Sequence, residues 1–179
     1  MRYCIAHLVQ GAAKKHHHTL VEDIASRFDL KLRPEYFPSH ITLKAPFEKD
    51  DLSIVELELE KFAEAHHVHP FVIHKFGHFE RSAIFLETSF PRETARVAHG
   101  LQNALRKQTP QTSWRDYEAH KNFHLTVTKD ASEKFEDIWE YLKEMGSPQF
   151  ELLFDNIALL HFQDGAWSVD KVYQLKPSK

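Results

Sequence analysis

The chain lacks the features that would tie it to a disulfide framework, a membrane or a nucleic-acid duplex. It has one cysteine, Cys4, which cannot form an internal disulfide. No stretch approaches the roughly eighteen apolar residues of a transmembrane helix, and no secretory signal pattern opens the sequence, so we expect a soluble, cytoplasmic protein. The formal net charge of −3 gives no overall positive field to attract duplex nucleic acid or an anionic membrane. Any bound phosphate must therefore be held by a local site.

What the chain does contain is the composition of a folded core. Hydrophobic residues make up 42% and aromatic residues 12% of its 179 positions, and there are only five glycines. These proportions are typical of a globular protein and exclude a disordered or collagen-like one. The length suits one domain, including one built from two small lobes, and we expect a monomer.

The hydrophobic periodicity predicts the same order of elements twice. Each half reads as strand, helix, His-x-Thr strand, helix, strand. The predicted strands are 3–9, 40–47, 71–79, 82–88, 123–128, 150–162 and 167–175, and the predicted helices are 15–30, 52–63, 91–108 and 133–145. This order indicates half-repeats of roughly 1–80 and 81–165, with a last strand at 166–177 that returns to the first lobe. No linker rich in Gly, Pro or Ser separates the halves, so 1–179 is predicted to be a single two-lobed domain.

Three stretches match the pattern His-x-Thr, and they begin at His17, His40 and His124. In a chain with 14 histidines, between one and two matches to His-x-Ser/Thr are expected by chance, so the bare pattern is weak evidence. His17 falls at the start of a predicted helix, where residues two apart do not face each other. We interpret that match as accidental.

The other two matches lie on predicted strands, where alternation aims the histidine and the threonine to the same face. In HITL this pair is His40 and Thr42, and in HLTV it is His124 and Thr126. The two histidines lie 84 residues apart, about half the chain. If the halves are related by an approximate two-fold axis, both pairs converge on one site.

Such a pair of histidines is suited to phosphoryl transfer without a metal. Histidine titrates near neutral pH, so a neutral imidazole can take a proton from water or a ribose hydroxyl while a protonated one donates to the leaving oxygen. The hydroxyls of Thr42 and Thr126 can hydrogen-bond the non-bridging phosphate oxygens, which carry charge in the transition state. No cofactor is expected.

The stretches PSHITLKAPF and NFHLTVTK resemble the paired motifs of the 2H phosphoesterase superfamily, the 2′-5′ RNA ligase-like proteins. The resemblance implies an α+β fold of two pseudo-symmetric lobes, each a mainly antiparallel sheet with helices outside and a His-x-Thr strand lining a central cleft. It implies His40 and His124 as acid and base, and Thr42 and Thr126 as phosphate ligands. It also implies a cyclic phosphodiesterase or 2′-5′ RNA ligase-like activity on RNA ends or small nucleotides with 2′,3′-cyclic phosphate or 2′-5′ linkages.

Four further residues are candidates for binding the substrate. Alternation predicts Lys44 on the face of the first motif histidine, where it could neutralise phosphate, and Lys129 at the end of the second motif strand. In the loop before the second motif, Trp114 could stack on a base and Arg115 could bind phosphate. The common alternatives are solvated lysines and a tryptophan that packs.

Two other classes of function stay open at this point. The same site could be a binding module for RNA ends or cyclic nucleotides that turns over nothing. A metal-dependent hydrolase is disfavoured, because the clusters His16–His18 and His66–His69 have no partner cysteines or spaced carboxylates.

Overall fold

The computed structural model of the chain describes residues 1–32, 37–108, 114, 122–129 and 133–178. Its elements follow the predicted order, with boundaries shifted by a few residues and with the predicted strand 150–162 divided at Asp155. They are β1 (Arg2–Leu8), α1 (Gly11–Arg27), β2 (His40–Glu48), α2 (Ser53–Ala65), β3 (His69–Phe79), β4 (Ala83–Ser89), α3 (Arg92–Gln108), β5 (His124–Lys129), α4 (Phe135–Met145), β6 (Gln149–Phe154), β7 (Asn156–Gln163) and β8 (Ala166–Gln174).

The eight strands form one sheet in the order β6-β3-β4-β5-β2-β1-β7-β8, and each neighbouring pair is antiparallel. The sheet divides into two halves of four strands, β6-β3-β4-β5 and β2-β1-β7-β8. The two motif strands, β2 and β5, are the inner strands at which the halves join, through the residue pair Ile41 and Leu125. The predicted α+β class and mainly antiparallel sheet are confirmed.

The four strands of each sheet half do not all come from one half of the sequence, and β3 is the first exception. This strand precedes the boundary expected near residue 80, yet it pairs with β4 and β6 of the other half. The corresponding place beside β1 is filled by β7. The last strand, β8, pairs with β7 at the opposite edge of the sheet.

The two faces of the sheet have different surroundings. On one, the helix face, buried apolar residues from all four helices pack with Ile41 and Leu125 of the motif strands in the main core. Burial of one leucine-sized side chain there contributes about 1.5–3 kcal/mol. On the other, the open face, a small cluster consists of Cys4, Ala6, Ala158, Leu160 and Trp167.

The helices form where apolar residues recur every three or four positions. Helix α3 buries Val97, Leu101 and Leu105 along one stripe. Helix α4 is followed by Gly146, whose φ of +81° favours glycine and stops the helix. In the part of the chain that the structure describes, no helix has the length and hydrophobicity needed to cross a bilayer.

Helices α1 and α3 each cross to the motif strand of the other half. Helix α1 packs against β5, and α3 packs against β2. Each also donates a side-chain hydrogen bond to that strand: His17 Nε2–H to the carbonyl of Thr126 at 2.8 Å, and Gln102 Nε2 to the carbonyl of Leu43 at 2.7 Å. The helices thereby connect the two halves around the junction of β2 and β5.

Candidate active site

The two His-x-Thr motifs lie side by side at the centre of the sheet. Because Ile41 pairs with Leu125 in an antiparallel register, His40 lies across from Thr126, and Thr42 lies across from His124. All four side chains alternate away from the buried Ile41 and Leu125, so they share the open face. The two histidines are therefore diagonal neighbours, a relation that places residues roughly 7–8 Å apart and leaves room for a phosphate between two imidazoles.

Both motif histidines are oriented by the same hydrogen bond. The Nδ1 of His40 lies 2.7 Å from the carbonyl oxygen of Pro38, and the Nδ1 of His124 lies 2.9 Å from that of Asn122. A carbonyl can only accept, so Nδ1–H donates in each case to the residue two positions earlier. In the neutral rings Nε2 is then the basic nitrogen, and it is the atom that can exchange a proton with a substrate.

Aromatic rings pack against each histidine in different ways. The ring of Phe37 stacks on His40 with a centroid distance of 4.1 Å. His124 contacts two rings, Phe79 at 5.0 Å and Phe85 at 4.7 Å. Such packing restricts ring rotation, so each imidazole is held by its carbonyl bond on one side and by an aromatic contact on the other.

Glycine is required at position 77 for the packing around His124. A Cβ atom at Gly77 would lie 2.6 Å from the ring of Phe85 and 2.8 Å from Oε1 of Glu87. Glu87 is the residue that pairs with His124 across β4 and β5, and it forms an ion pair of 3.1 Å with Lys75. The missing side chain therefore lets Phe85 and Glu87 lie beside this histidine.

A β-bulge after Thr42 turns Lys44 away from the open face. Thr42 pairs with Ala6, but Lys44 pairs with Ile5, so β2 contains one extra residue between them. Lys44 shares the helix face with Ile5, where it is 1% exposed and its Nζ lies 4.5 Å from the centroid of the Trp114 ring. The predicted place of Lys44 on the face of the motif histidine is wrong, because an extra residue reverses the alternation.

The second motif strand has the same bulge, and there it brings Lys129 to the open face. Thr126 pairs with Phe85, but Thr128 pairs with Ile84, which belongs to the core on the helix face. The next residue, Lys129, is thereby on the open face, and its Nζ lies 5.8 Å from the centroid of Phe37. Lys129 is therefore the motif-strand lysine that the structure places near the stacked histidine.

Of the two predicted loop candidates, the structure describes Trp114, which does not lie at the histidines. Trp114 lies between Lys44 and Arg106, at 4.5 Å and 4.8 Å from its ring centroid, and packs against the core on the helix face. Arg115 lies outside the described residues. In the parts of the chain that the structure describes, no group of three or more His, Cys, Asp or Glu side chains is arranged to hold a metal ion.

His17, the match interpreted as accidental, is helical as predicted but is buried next to the site. Its Nε2–H donates to the Thr126 carbonyl, and its Nδ1 lies 2.8 Å from the hydroxyl of Ser39, the residue before His40. Burial lowers the pKa of His17 to about 4, so the ring is neutral at neutral pH. The sequence did contain a signal for this burial, because His17 lies four residues after Ala13 in the apolar stripe of α1.

Comparison with known proteins gives concordant results. A family model described as the 2′-5′ RNA ligase superfamily matches residues 13–166. A protein of Geobacillus sp. (strain WCH70), provisionally named as a phosphoesterase, is 28% identical over 86% of this chain and 88% of its own. One of Bacillus mycoides (strain KBAB4), named in the same way, is 27% identical over 87% and 91%.

Solved structures agree in fold. TT0787 of Thermus thermophilus superposes with a TM-score of 0.67 at 13% identity and covers 100% of both chains. LigT of E. coli, crystallised with NADP+, superposes with a TM-score of 0.59 at 17% identity over 97% of both chains.

Proposed function

Because the chain belongs to the 2′-5′ RNA ligase superfamily, we propose that it is a metal-independent phosphoesterase for 2′,3′-cyclic phosphate or 2′-5′ linkages of RNA ends or nucleotides. The observation that carries this proposal is the matched pair of imidazoles. His40 and His124 lie on adjacent strands and are held by equivalent Nδ1–H bonds. The protein is proposed to act as a cytoplasmic monomer.

The proposed step is an in-line displacement at phosphorus. Nε2 of one neutral histidine takes a proton from water as its oxygen bonds to phosphorus. The bond from phosphorus to a ribose oxygen breaks, and the other histidine, protonated, donates its proton to that oxygen. For a 2′,3′-cyclic phosphate the product is a monophosphate, and each histidine ends in the protonation state from which the other began. The reverse reaction with a second ribose hydroxyl would be a ligation.

Residues around the pair supply binding and charge stabilisation. Thr42 and Thr126 share the open face with the histidines, and their hydroxyls would donate to the non-bridging phosphate oxygens. Lys129 supplies a cation near the His40 side of the site. Lys44 has no part in this proposal, because it is buried on the helix face.

Complexes of a protein with the same fold support a nucleotide substrate. LigT of E. coli has been crystallised with 3′-AMP, with ATP and with phosphate. These ligands share a phosphate group, and 3′-AMP has the ribose phosphate that opening of a 2′,3′-cyclic phosphate can leave. We therefore choose 2′,3′-cyclic AMP as the first substrate to test.

The test is incubation of EDTA-treated protein with 2′,3′-cyclic nucleotides and 2′-5′-linked oligonucleotides, with products separated by chromatography. Wild type should form product, and His40→Ala and His124→Ala should each form it at least about 100-fold more slowly, with unchanged circular dichroism. His67→Ala is the matched control, since His67 is half-buried and its ring bonds the carbonyl of Pro177, which belongs to neither motif. Full activity in both motif variants would refute the mechanism. Tight binding of the substrate with no product at any pH would instead favour a binding module.

A further inference from the structure

The third His-x-Thr match has a role that neither the family motifs nor the proposed reaction includes. His17 lies on α1, outside both motif strands, yet it contacts the residue before His40 and the carbonyl within the second motif. We propose that His17 is a positioning residue. Its ring connects Ser39, at the start of β2, to Thr126 of β5 through two hydrogen bonds, which we call the tie, and the tie fixes the separation of the two catalytic imidazoles. Its kinetic test rests on the proposed function, whereas its structural test does not.

The junction between the motif strands explains why a tie is useful here. The paired residues of β2 and β5 are Ile41 and Leu125, so the direct backbone contact between the two halves is short. The carbonyl of Thr126, one residue beyond this pair, accepts a hydrogen bond from His17 Nε2 at 2.8 Å. Such a bond contributes about 0.5–1.5 kcal/mol, and it holds the second motif strand against helix α1.

The other end of the tie is equally buried. Ser39 is 1% exposed, and its hydroxyl lies 2.8 Å from Nδ1 of His17. Because Nε2 carries the proton that is donated to the Thr126 carbonyl, Nδ1 of the neutral ring is an acceptor and the Ser39 hydroxyl donates to it. Ser39 is also hydrogen-bonded through its backbone carbonyl to the amide of Val9 at 2.9 Å. The entry to His40 is thus fixed to β1 and to α1.

Histidine is chemically suited to this position. A neutral imidazole has a donor on one edge and an acceptor on the other within one rigid ring, so a single side chain reaches both strands. The ionisable groups around it are His16 and His18 on α1, His40 on β2 and Lys129 on β5. Burial of the ring is the main cause of its lowered pKa, and His18 and His16 add to it against the opposing effect of the bond to the Thr126 carbonyl. The ring is therefore neutral, which is the form that can accept from Ser39.

Loss of the tie should affect the reaction more than substrate binding. Both catalytic histidines would remain, but their separation would vary, and a misplacement of about 1 Å can cost on the order of 100-fold in rate. The threonine hydroxyls and Lys129 would still contact the phosphate. We therefore expect the effect on kcat, with KM close to that of the wild type.

The kinetic experiment uses three substitutions of His17 and one of its partner. His17→Phe should lower kcat roughly 10- to 100-fold with KM within about threefold. His17→Gln, which can still donate to the Thr126 carbonyl, and His17→Asn, which can still accept from Ser39, should each retain part of the rate. Ser39→Ala should lower kcat as much as His17→Gln does, and the double variant should lower it no further, because both remove the same hydrogen bond. His18→Gln, the neighbour on α1, is the control and should behave as wild type.

Two kinetic results would overturn the proposal: wild-type kcat in folded His17→Phe, or an equal loss of kcat in His18→Gln. If His40→Ala is itself fully active, the proposed function fails, and the positioning role is then decided by spectroscopy alone.

The structural experiment needs no turnover. In protein labelled with ¹⁵N-histidine, His17 should show a protonated Nε2 and an unprotonated Nδ1 from pH 8 down to pH 5. His17→Gln should shift the ring signals of both His40 and His124, whereas His18→Gln should leave them in place. A His17 ring that titrates near pH 6.5, or motif signals that stay unchanged in His17→Gln, would refute the tie.

Discussion

The two halves of the site hold their histidines in the same way and differ in the residues that surround them. In both halves a histidine donates Nδ1–H to the carbonyl two residues earlier, and a bulge follows the threonine. Across from His40 on the neighbouring strand lies Leu8, whereas across from His124 lies Glu87. The part of the site that we propose to contact the reacting atoms is symmetric, and the difference lies in the neighbours that would meet the rest of a substrate.

The largest expected effect tests the symmetric part. His40→Ala and His124→Ala should each lower kcat/KM by about 10²- to 10⁴-fold, since each removes one proton-transfer group. The wild-type pH profile should be bell-shaped. The variant without the base should lose the acidic limb, and the variant without the acid should lose the basic limb. If both variants lose the same limb, the two histidines do not have complementary roles.

The second prediction uses the difference between the two helix ties, because His17 titrates and Gln102 does not. Burial lowers the pKa of both His17 and the core residue His7 to about 4. A lowered folded-state pKa means that stability is full above the unfolded value of about 6.5 and falls as pH drops towards 4. When the pH is lowered from 7.5 to 5, each of the two histidines should lower the free energy of unfolding by about 2 kcal/mol.

Urea unfolding at the two pH values measures this loss. His17→Gln should remove about half of the acid sensitivity, whereas Gln102→Ala should lower stability equally at both pH values. A wild-type unfolding free energy that is the same at pH 5 and pH 7.5 would contradict the prediction.

The third prediction tests the packing around His124 with two glycines. Gly77→Ala should destabilise by about 1–3 kcal/mol, because its Cβ would lie 2.6 Å from Phe85. It should also lower kcat, because Phe85 contacts His124. Gly100→Ala is the matched control: it lies in α3, where the nearest side-chain atom is 3.8 Å away, and it should stabilise by about 0.5–1 kcal/mol. Thermal unfolding of both variants decides whether this close approach exists.

The smallest expected effect separates the two lysines that follow the motifs. Lys129→Met should raise KM for a cyclic nucleotide roughly tenfold at low salt, as expected for loss of a cation worth about 1.4 kcal/mol. Lys44→Met should leave KM within about twofold and lower stability by at least about 1 kcal/mol, which is the contribution of its bond to the Ala45 carbonyl. If Lys44→Met is the variant that changes KM, our assignment of faces after the bulge is incorrect.

The sequence was sufficient to predict the helices, the strands and the two motif strands. It was not sufficient to predict on which face of the sheet the residues after each bulge lie. Alternation placed His40 with Thr42 and His124 with Thr126, because both strands are regular over those three residues. It failed at Lys44, because a bulge depends on how β1 pairs with β2 and leaves no mark in the spacing of apolar residues.

Two further features depended on contacts between distant parts of the chain. One is that β3 lies in the sheet half of the second repeat and β7 in that of the first, which we call the exchange of β3 and β7. This exchange depends on which strands pair, and the order of elements along the sequence would be the same without it. The role of His17 was also missed, although its place in the apolar stripe of α1 predicted an inward side chain. The stripe shows that a residue is buried, but only the structure shows that its partners are Ser39 and the Thr126 carbonyl.

The exchange of β3 and β7 also has a consequence for how the chain folds. The edge of β1 that β7 covers stays without its partner until residues 156–163 have been synthesised, and β3 cannot be enclosed until β4 and β6 follow it. Neither half can therefore complete its own layer before β6 or β7, which begin at Gln149 and Asn156, has been synthesised. Contacts so distant in sequence slow folding, and they leave strand edges available for intermolecular exchange until those strands are in place.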